Sequence, residues 1–186
     1  MAKELYIIAG CNGAGKTSAS LTILPEILHC NQFVNADEIA KGLSPFNPAS
    51  VEMAAGRLML QRIDQLLADG ETFSIETTLA TRSHVGLIRR AKQLGYEVTL
   101  IYFWIRTPEL AVQRVARRVS EGGHNIPEEV VRKRYYTGLS NFFYLFKDEV
   151  DFWMLVDNTD NPRYVVADTD EIYVLDAYNM IKSYVE

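Results

Sequence analysis

Gly10-Cys11-Asn12-Gly13-Ala14-Gly15-Lys16-Thr17 matches the spacing G-x-x-x-x-G-K-[ST] of a phosphate-cradling loop. The apolar run Leu5-Tyr6-Ile7-Ile8-Ala9 before it reads as a buried strand, and a helical pattern follows Thr17. Glycines at these positions let backbone N–H groups turn inward on a polyphosphate, and the helix N-terminus behind them favours negative charge. Gly10, Asn12, Gly13, Ala14, Gly15, Lys16, Thr17 and Ser18 are therefore the expected nucleotide contacts. Lys16 is expected to reach the β and γ phosphates, and Thr17 to give its hydroxyl to Mg²⁺ carried with ATP. The alternative, a glycine-rich strand-to-helix turn with one solvated lysine, leaves the flanking strand and helix without a reason.

Outward from the loop, strand and helix patterns alternate. Gln32 to Asn35 reads as a short second strand, with Asp37 just beyond it. A punctuated loop, Ser44-Pro45-Phe46-Asn47-Pro48, leads into a long helix that Gly70 stops. Thr72 to Ile75 is a third strand followed by Glu76-Thr77-Thr78, and a helix from Ser83 to Leu94 precedes the most strand-like run, Tyr96 to Ile105. An arginine-rich helix opens at Pro108, ends at Gly122-Gly123-His124, and is followed by another from Pro127 to about Lys147. Phe152 to Val156 is a strand. Tyr164 to Ala167 and Glu171 to Leu175 read as a hairpin around Asp168-Thr169-Asp170, before a short last helix. This order predicts an α/β fold: a parallel sheet with helices on both faces and a helical lid over about 114–136. Its 186 residues read as one domain.

Composition narrows the function classes. A net charge of −5 gives no general reason to expect a nucleic-acid partner, because phosphate-backbone binders carry a basic surplus. The two cysteines, Cys11 and Cys30, are too few for a disulfide framework and point to reduced thiols in a cytoplasmic protein. No apolar run approaches the roughly 18 residues of a membrane span. No basic-then-apolar leader precedes the first strand.

In parallel sheets ligands bind beyond the carboxyl ends of the strands, which puts the phosphate loop, Asp37 and Glu76-Thr77-Thr78 on one rim. Phosphoryl transfer needs an acceptor hydroxyl in line, its proton removed and the migrating charge neutralised. Asp37 is the expected base, because it follows the strand expected beside the phosphate loop; the competing reading is a helix N-cap. Glu76 is expected to fix a substrate hydroxyl or a metal-bound water, with Thr78 adding a hydrogen bond and Arg82 just after the turn. Arg114, Arg117, Arg118, Arg132, Lys133 and Arg134 cluster around Gly122-Gly123-His124, as in a cationic lid; the competing reading is a solvated face balanced by Glu121, Glu128 and Glu129. His124 is a helix stop or a donor to substrate. Asn158, in Asp157-Asn158-Thr159, is placed for a loop under a purine ring.

With these pieces in hand, the chain resembles the zeta toxin family of kinases. The resemblance runs through IIAGCNGAGKTS, FVNADEIA, FSIETTLATR, RVSEGGHNIPEEVVRKRY and LVDNT. It implies phosphorylation of a small-molecule hydroxyl with ATP and Mg²⁺, on a nucleotide sugar such as UDP-N-acetylglucosamine in the best-known members, and control by an antitoxin protein. By motif it makes Lys16 and Thr17 the phosphate and metal contacts, Asp37 the base, Glu76 and Thr78 substrate contacts, and Arg118 and Arg134 the lid arginines. The chain departs from those toxins: Glu38-Ile39-Ala40-Lys41 follows Asp37, where they typically carry an arginine, the chain is more compact than they are, and its Ser-Pro-Phe-Asn-Pro loop looks more like the chromosomally encoded members. Other readings are a nucleotide or polynucleotide kinase, and a nucleotide-binding ATPase that engages partners.

Overall fold

Leu5 to Ala9 are buried without a break, so this strand is covered on both faces, as an interior strand of a parallel sheet must be. A computed structural model describes residues 3–123 and 125–186. It builds the sheet outward from this strand, β1 (Lys3–Ala9), with β3 (Phe73–Thr77) on one side and β4 (Tyr96–Trp104) on the other. Beyond them lie β2 (Phe33–Val34), which pairs with β3, and β5 (Phe152–Asp157), which pairs with β4. The order is β2-β3-β1-β4-β5-β6, parallel except for β6 (Tyr164–Asp168), which runs antiparallel to β5.

The helices are α1 (Lys16–Thr22), α2 (Ala36–Leu43), α3 (Glu52–Asp69), α4 (His84–Gln93), α5 (Pro108–Ser120), α6 (Glu128–Tyr144) and α7 (Leu175–Ser183). Consecutive residues of β4 point to opposite faces, and Tyr102, Phe103 and Trp104 are all buried. One face carries Tyr102, stacked on Phe142 of α6 with ring centroids 4.8 Å apart, and Trp104, set edge-on to Tyr184 just after α7. The aromatic stripe of α6 is thus core. On the other face Ile101 and Phe103 line an apolar cleft with Ile23, Ile27 and Leu28 from the turn after α1. That turn is π-helical over Ile23–Ile27 and holds Pro25, so the helix after the phosphate loop is shorter than its apolar pattern suggests.

Three expectations are corrected. The second strand does not neighbour the first: β3 lies between them, so Glu76, not Asp37, ends the strand beside the phosphate loop. The third strand runs on through Glu76 and Thr77 rather than stopping at Ile75. The last hairpin has only one arm, because the N–H groups of Tyr173 and Val174 both converge on the Val166 carbonyl; the return segment makes one bridge, Ala167 with Ile172, before α7 begins.

Candidate active site

The phosphate loop is shaped by close backbone approach. Gly10 has φ 138°, and a Cβ there would lie 2.2 Å from the Phe103 carbonyl oxygen. Gly15 has φ 81°, and a Cβ there would fall 2.5 Å from the Asn158 side-chain nitrogen. Cys11, between them, is a packing residue: burial pushes its thiol up to about 11 despite the nearby Lys16.

Lys16 and Thr17 are held by a single carboxylate. Lys16 Nζ donates to the Cys11 carbonyl at 3.0 Å and lies 3.7 Å from Glu76 Oε1; Thr17 Oγ1 donates to Glu76 Oε2 at 2.8 Å. The same oxygen accepts from Asn35 Nδ2 at 3.0 Å. Asn35 in turn caps α2, its Oδ1 accepting from the Asp37 backbone N–H at 2.8 Å. Hydrogen bonds therefore run from Thr17 through Glu76 and Asn35 to the first turn of α2, where Asp37 stands exposed. Asn35, not Asp37, is the N-cap. Sequence reasoning passed over Asn35, although an Asn two residues ahead of an acid at a helix start is a capping signal; its bond to Glu76 has no sequence signature.

Asp37 lines a cavity of about 540 Å³ between α2, the start of α3 and α6, together with Glu52, Asn125 and Arg134. Arg134 links this cavity to the phosphate loop, because its Nη1 donates to Asn12 Oδ1 at 3.1 Å. Asp37 and Arg134 are thus brought together. Glu76, expected to fix a substrate hydroxyl or a metal-bound water, lies against Thr17 and Lys16, because its strand is the one beside β1. Thr78 and Arg82 are not among the described residues of this cavity. Thr78 Oγ1 accepts from the Ala80 N–H at 3.5 Å, its carbonyl is pressed against Gly138 of α6, and Arg82 is exposed.

The basic cluster divides by partner. Arg117 pairs with Glu121 at 3.1 Å and Arg132 with Glu128 and Glu109, so these two are surface ion pairs. Arg114 braces backbone, donating to the carbonyls of Gly13, Asn158 and Thr159. Arg118 is half-buried, with its stem packed under Gly123. His124 lies outside the described residues. Ser18 is exposed in the first turn of α1. Asn158 donates its side-chain N–H to the Ala14 carbonyl at 2.7 Å and so braces the phosphate loop. A cleft of about 650 Å³ lined by Arg114, Thr159, Asp160, Pro162 and Arg163 opens beside it.

The Thr17 hydroxyl beside the Glu76 carboxylate is an all-oxygen pair suited to a hard cation. Mg²⁺ keeps most of its waters and takes one or two protein oxygens together with phosphate. These residues fit that ion.

A phosphate loop between β1 and α1, in a sheet of this order with the Glu76 carboxylate near the end of the neighbouring β3, defines the P-loop kinase fold. Solved structures agree. A chain of the AvrRxo1-ORF1:AvrRxo1-ORF2 complex, determined with sulphate ions and with ATP, superposes with a TM-score of 0.81 at 19% identity. The match covers 98% of this chain and 64% of that one. A structure from the PezAT chromosomal toxin-antitoxin system of Streptococcus pneumoniae gives a TM-score of 0.73 at 16% identity, over 100% of this chain and 79% of that one. An uncharacterized protein of Haemophilus influenzae is 29% identical over 140 residues, 73% of this chain and 94% of its own. The zeta toxin family model matches residues 1–161, and the chain belongs to that family. No helix among the described residues is long and apolar enough to cross a membrane.

Proposed function

We propose that the protein is an ATP-dependent kinase that transfers the γ-phosphate to the hydroxyl of a small molecule held in the Asp37 cavity. The observation that carries this reading is Arg134, which lines the cavity beside Asp37 while donating to Asn12 of the phosphate loop. A nucleotide on that loop and an acceptor in that cavity share one guanidinium, as transfer between them requires. Asp37 takes the acceptor proton. Lys16, Arg134 and Arg118 neutralise charge on the migrating group, and the backbone of Gly10 to Thr17 cradles the phosphates. Thr17 and Glu76 would hold Mg²⁺, which when bound neutralises phosphate oxygens; Asn35 keeps Glu76 in place for it. Asn158 and Arg114 fix the loop's shape, and the cleft at Thr159 to Arg163 receives the base.

Support for ATP comes from the AvrRxo1 complex solved with it, and support for an antitoxin partner from the PezAT system. We place the protein in the cytoplasm, where ATP is available. The test is transfer of γ-labelled phosphate from ATP to a panel of nucleotide sugars, nucleosides, polyols and cell extract. A labelled organic product that disappears with Asp37→Asn is the expected outcome. Label recovered only as inorganic phosphate would instead mark an ATPase.

A further inference from the structure

The loop that borders the proposed base cleft is held from behind by the end of the chain. Asn158 and Thr159 line that cleft, and both are tied to the segment that ends β4. The Asn158 N–H donates to the Trp104 carbonyl at 2.8 Å, and Thr159 Oγ1 accepts from the Arg106 N–H at 2.9 Å. Past Trp104 the strand ends, so the carbonyls of Ile105 and Arg106 need partners from outside the sheet. Phenol hydroxyls supply them. Tyr135 of α6 donates to the Ile105 carbonyl at 2.9 Å and reaches the Arg106 carbonyl at 3.3 Å. Tyr184, just after α7, donates to the Arg106 carbonyl at 2.8 Å. A hydroxyl has one proton, so Tyr135 serves the nearer carbonyl and Tyr184 is the better-placed donor to Arg106. The Tyr184 ring stands edge-on to Trp104 and Tyr135, with centroids 6.1 and 5.9 Å away, which fixes where its hydroxyl points.

We propose that Tyr184 is a positioning residue for the nucleotide: through Arg106 and Thr159, its hydroxyl sets the shape of the loop that receives the base. This rests on the reading above that the cleft at Thr159 to Arg163 takes the base, and deepens it. Arg106 is clamped between Tyr184 at its carbonyl and Thr159 at its N–H. The next residue, Thr107, caps α5, whose Arg114 donates to the carbonyls of Asn158 and Thr159. A shift at Arg106 therefore reaches the loop by two routes, directly at Thr159 and through α5 at Arg114. The phosphate loop has ties of its own, since the Ala14 N–H and Lys16 Nζ both donate to the Cys11 carbonyl. Loss of the Tyr184 hydroxyl thus falls on the base rather than on the phosphates. Tyr184 lies outside residues 1–161, the part of the chain that the family model matches.

The experiment compares two probes by calorimetry with Mg²⁺: the non-hydrolysable β,γ-imido analogue of ATP, and inorganic tripolyphosphate, which has the phosphates without the base. Wild type is set against Tyr184→Phe, which keeps the ring, against Thr159→Val, and against the double variant. The expected result is a Kd for the ATP analogue about fivefold higher in each single variant. The double variant should be no weaker than the weaker single one, because both substitutions cut the same chain of contacts. The Kd for tripolyphosphate should stay within about twofold throughout. An unchanged Tyr184→Phe overturns the inference, as do equal losses for both probes, which mark general loosening, and additive losses in the double variant, which mark two separate effects. In each of those cases the base cleft and the kinase reading stand. Wild type that gains nothing from the base, or binds neither probe, overturns the cleft assignment and the inference with it.

Discussion

Asp37 and Asn35 divide the work of one helix start. Asp37 projects from the first turn of α2 into the cavity it shares with Arg134, while Asn35 caps that turn and ties it to Glu76. Replacing Asp37 by Asn keeps the shape and removes the proposed proton acceptor. The expected outcome is a fall of about 10²-fold or more in phosphate transfer, with nucleotide affinity within about twofold of wild type by calorimetry. An equal fall in affinity would make Asp37 a nucleotide ligand instead. Asn35→Ala removes both the cap and a donor to Glu76, and should lower unfolding free energy by about 1–2 kcal/mol. Asn35→Ser restores the cap without reaching Glu76. Its stability should recover while its turnover stays low, which denaturant curves and kinetics on the same samples would resolve.

At the scale of elements, α6 is pinned to the rim of the sheet at one point. A Cβ at Gly138 would lie 2.3 Å from the Thr78 carbonyl oxygen, a backbone atom that cannot swing aside. The turn it presses on is itself constrained: Leu79 is fully buried at φ 54°, and its carbonyl accepts from Asn141 of α6 at 2.7 Å. Gly138→Ala should therefore push α6 outward and cost about 1–3 kcal/mol in urea unfolding. It should also slow transfer, because Arg134 rides one turn earlier on the same helix. A variant as stable as wild type would show that the rim yields more easily than this contact implies. The same elements show what the chain reveals when read alone. The phosphate loop was legible because its glycines, lysine and threonine sit at fixed offsets after a continuous apolar run. Helix ends at Gly70 and Pro108 were legible as local punctuation. The place of Glu76 was not, since it depends on which strand lies beside β1, and strand order is a property of crossovers rather than of any residue. The division of the arginines was hidden for a related reason: Arg117 and Arg132 find acids on neighbouring turns, whereas Arg114 and Arg134 find the phosphate loop more than a hundred residues away in the chain.

The molecule as a whole buries both of its thiols, and burial raises each of them, Cys11 to about 11. The thiolate is the reactive form, so a raised value leaves very little of it near neutral pH. The native protein at pH 8 is expected to resist a disulfide reagent over minutes, and both groups should react once urea unfolds it. Rapid reaction of one thiol in the native state would mean that the phosphate loop opens far more readily than its bracing by Arg114 and Asn158 implies. A last consequence follows from how the sheet ends. At one margin β2 is only two residues long; at the other, the Val166 carbonyl of β6 is already taken by the N–H groups of Tyr173 and Val174. Neither margin offers a long row of free partners on which a second chain could template itself. The stretch from β6 onward, which the family match does not reach, thus acts as a hem that closes this margin of the sheet against self-stacking.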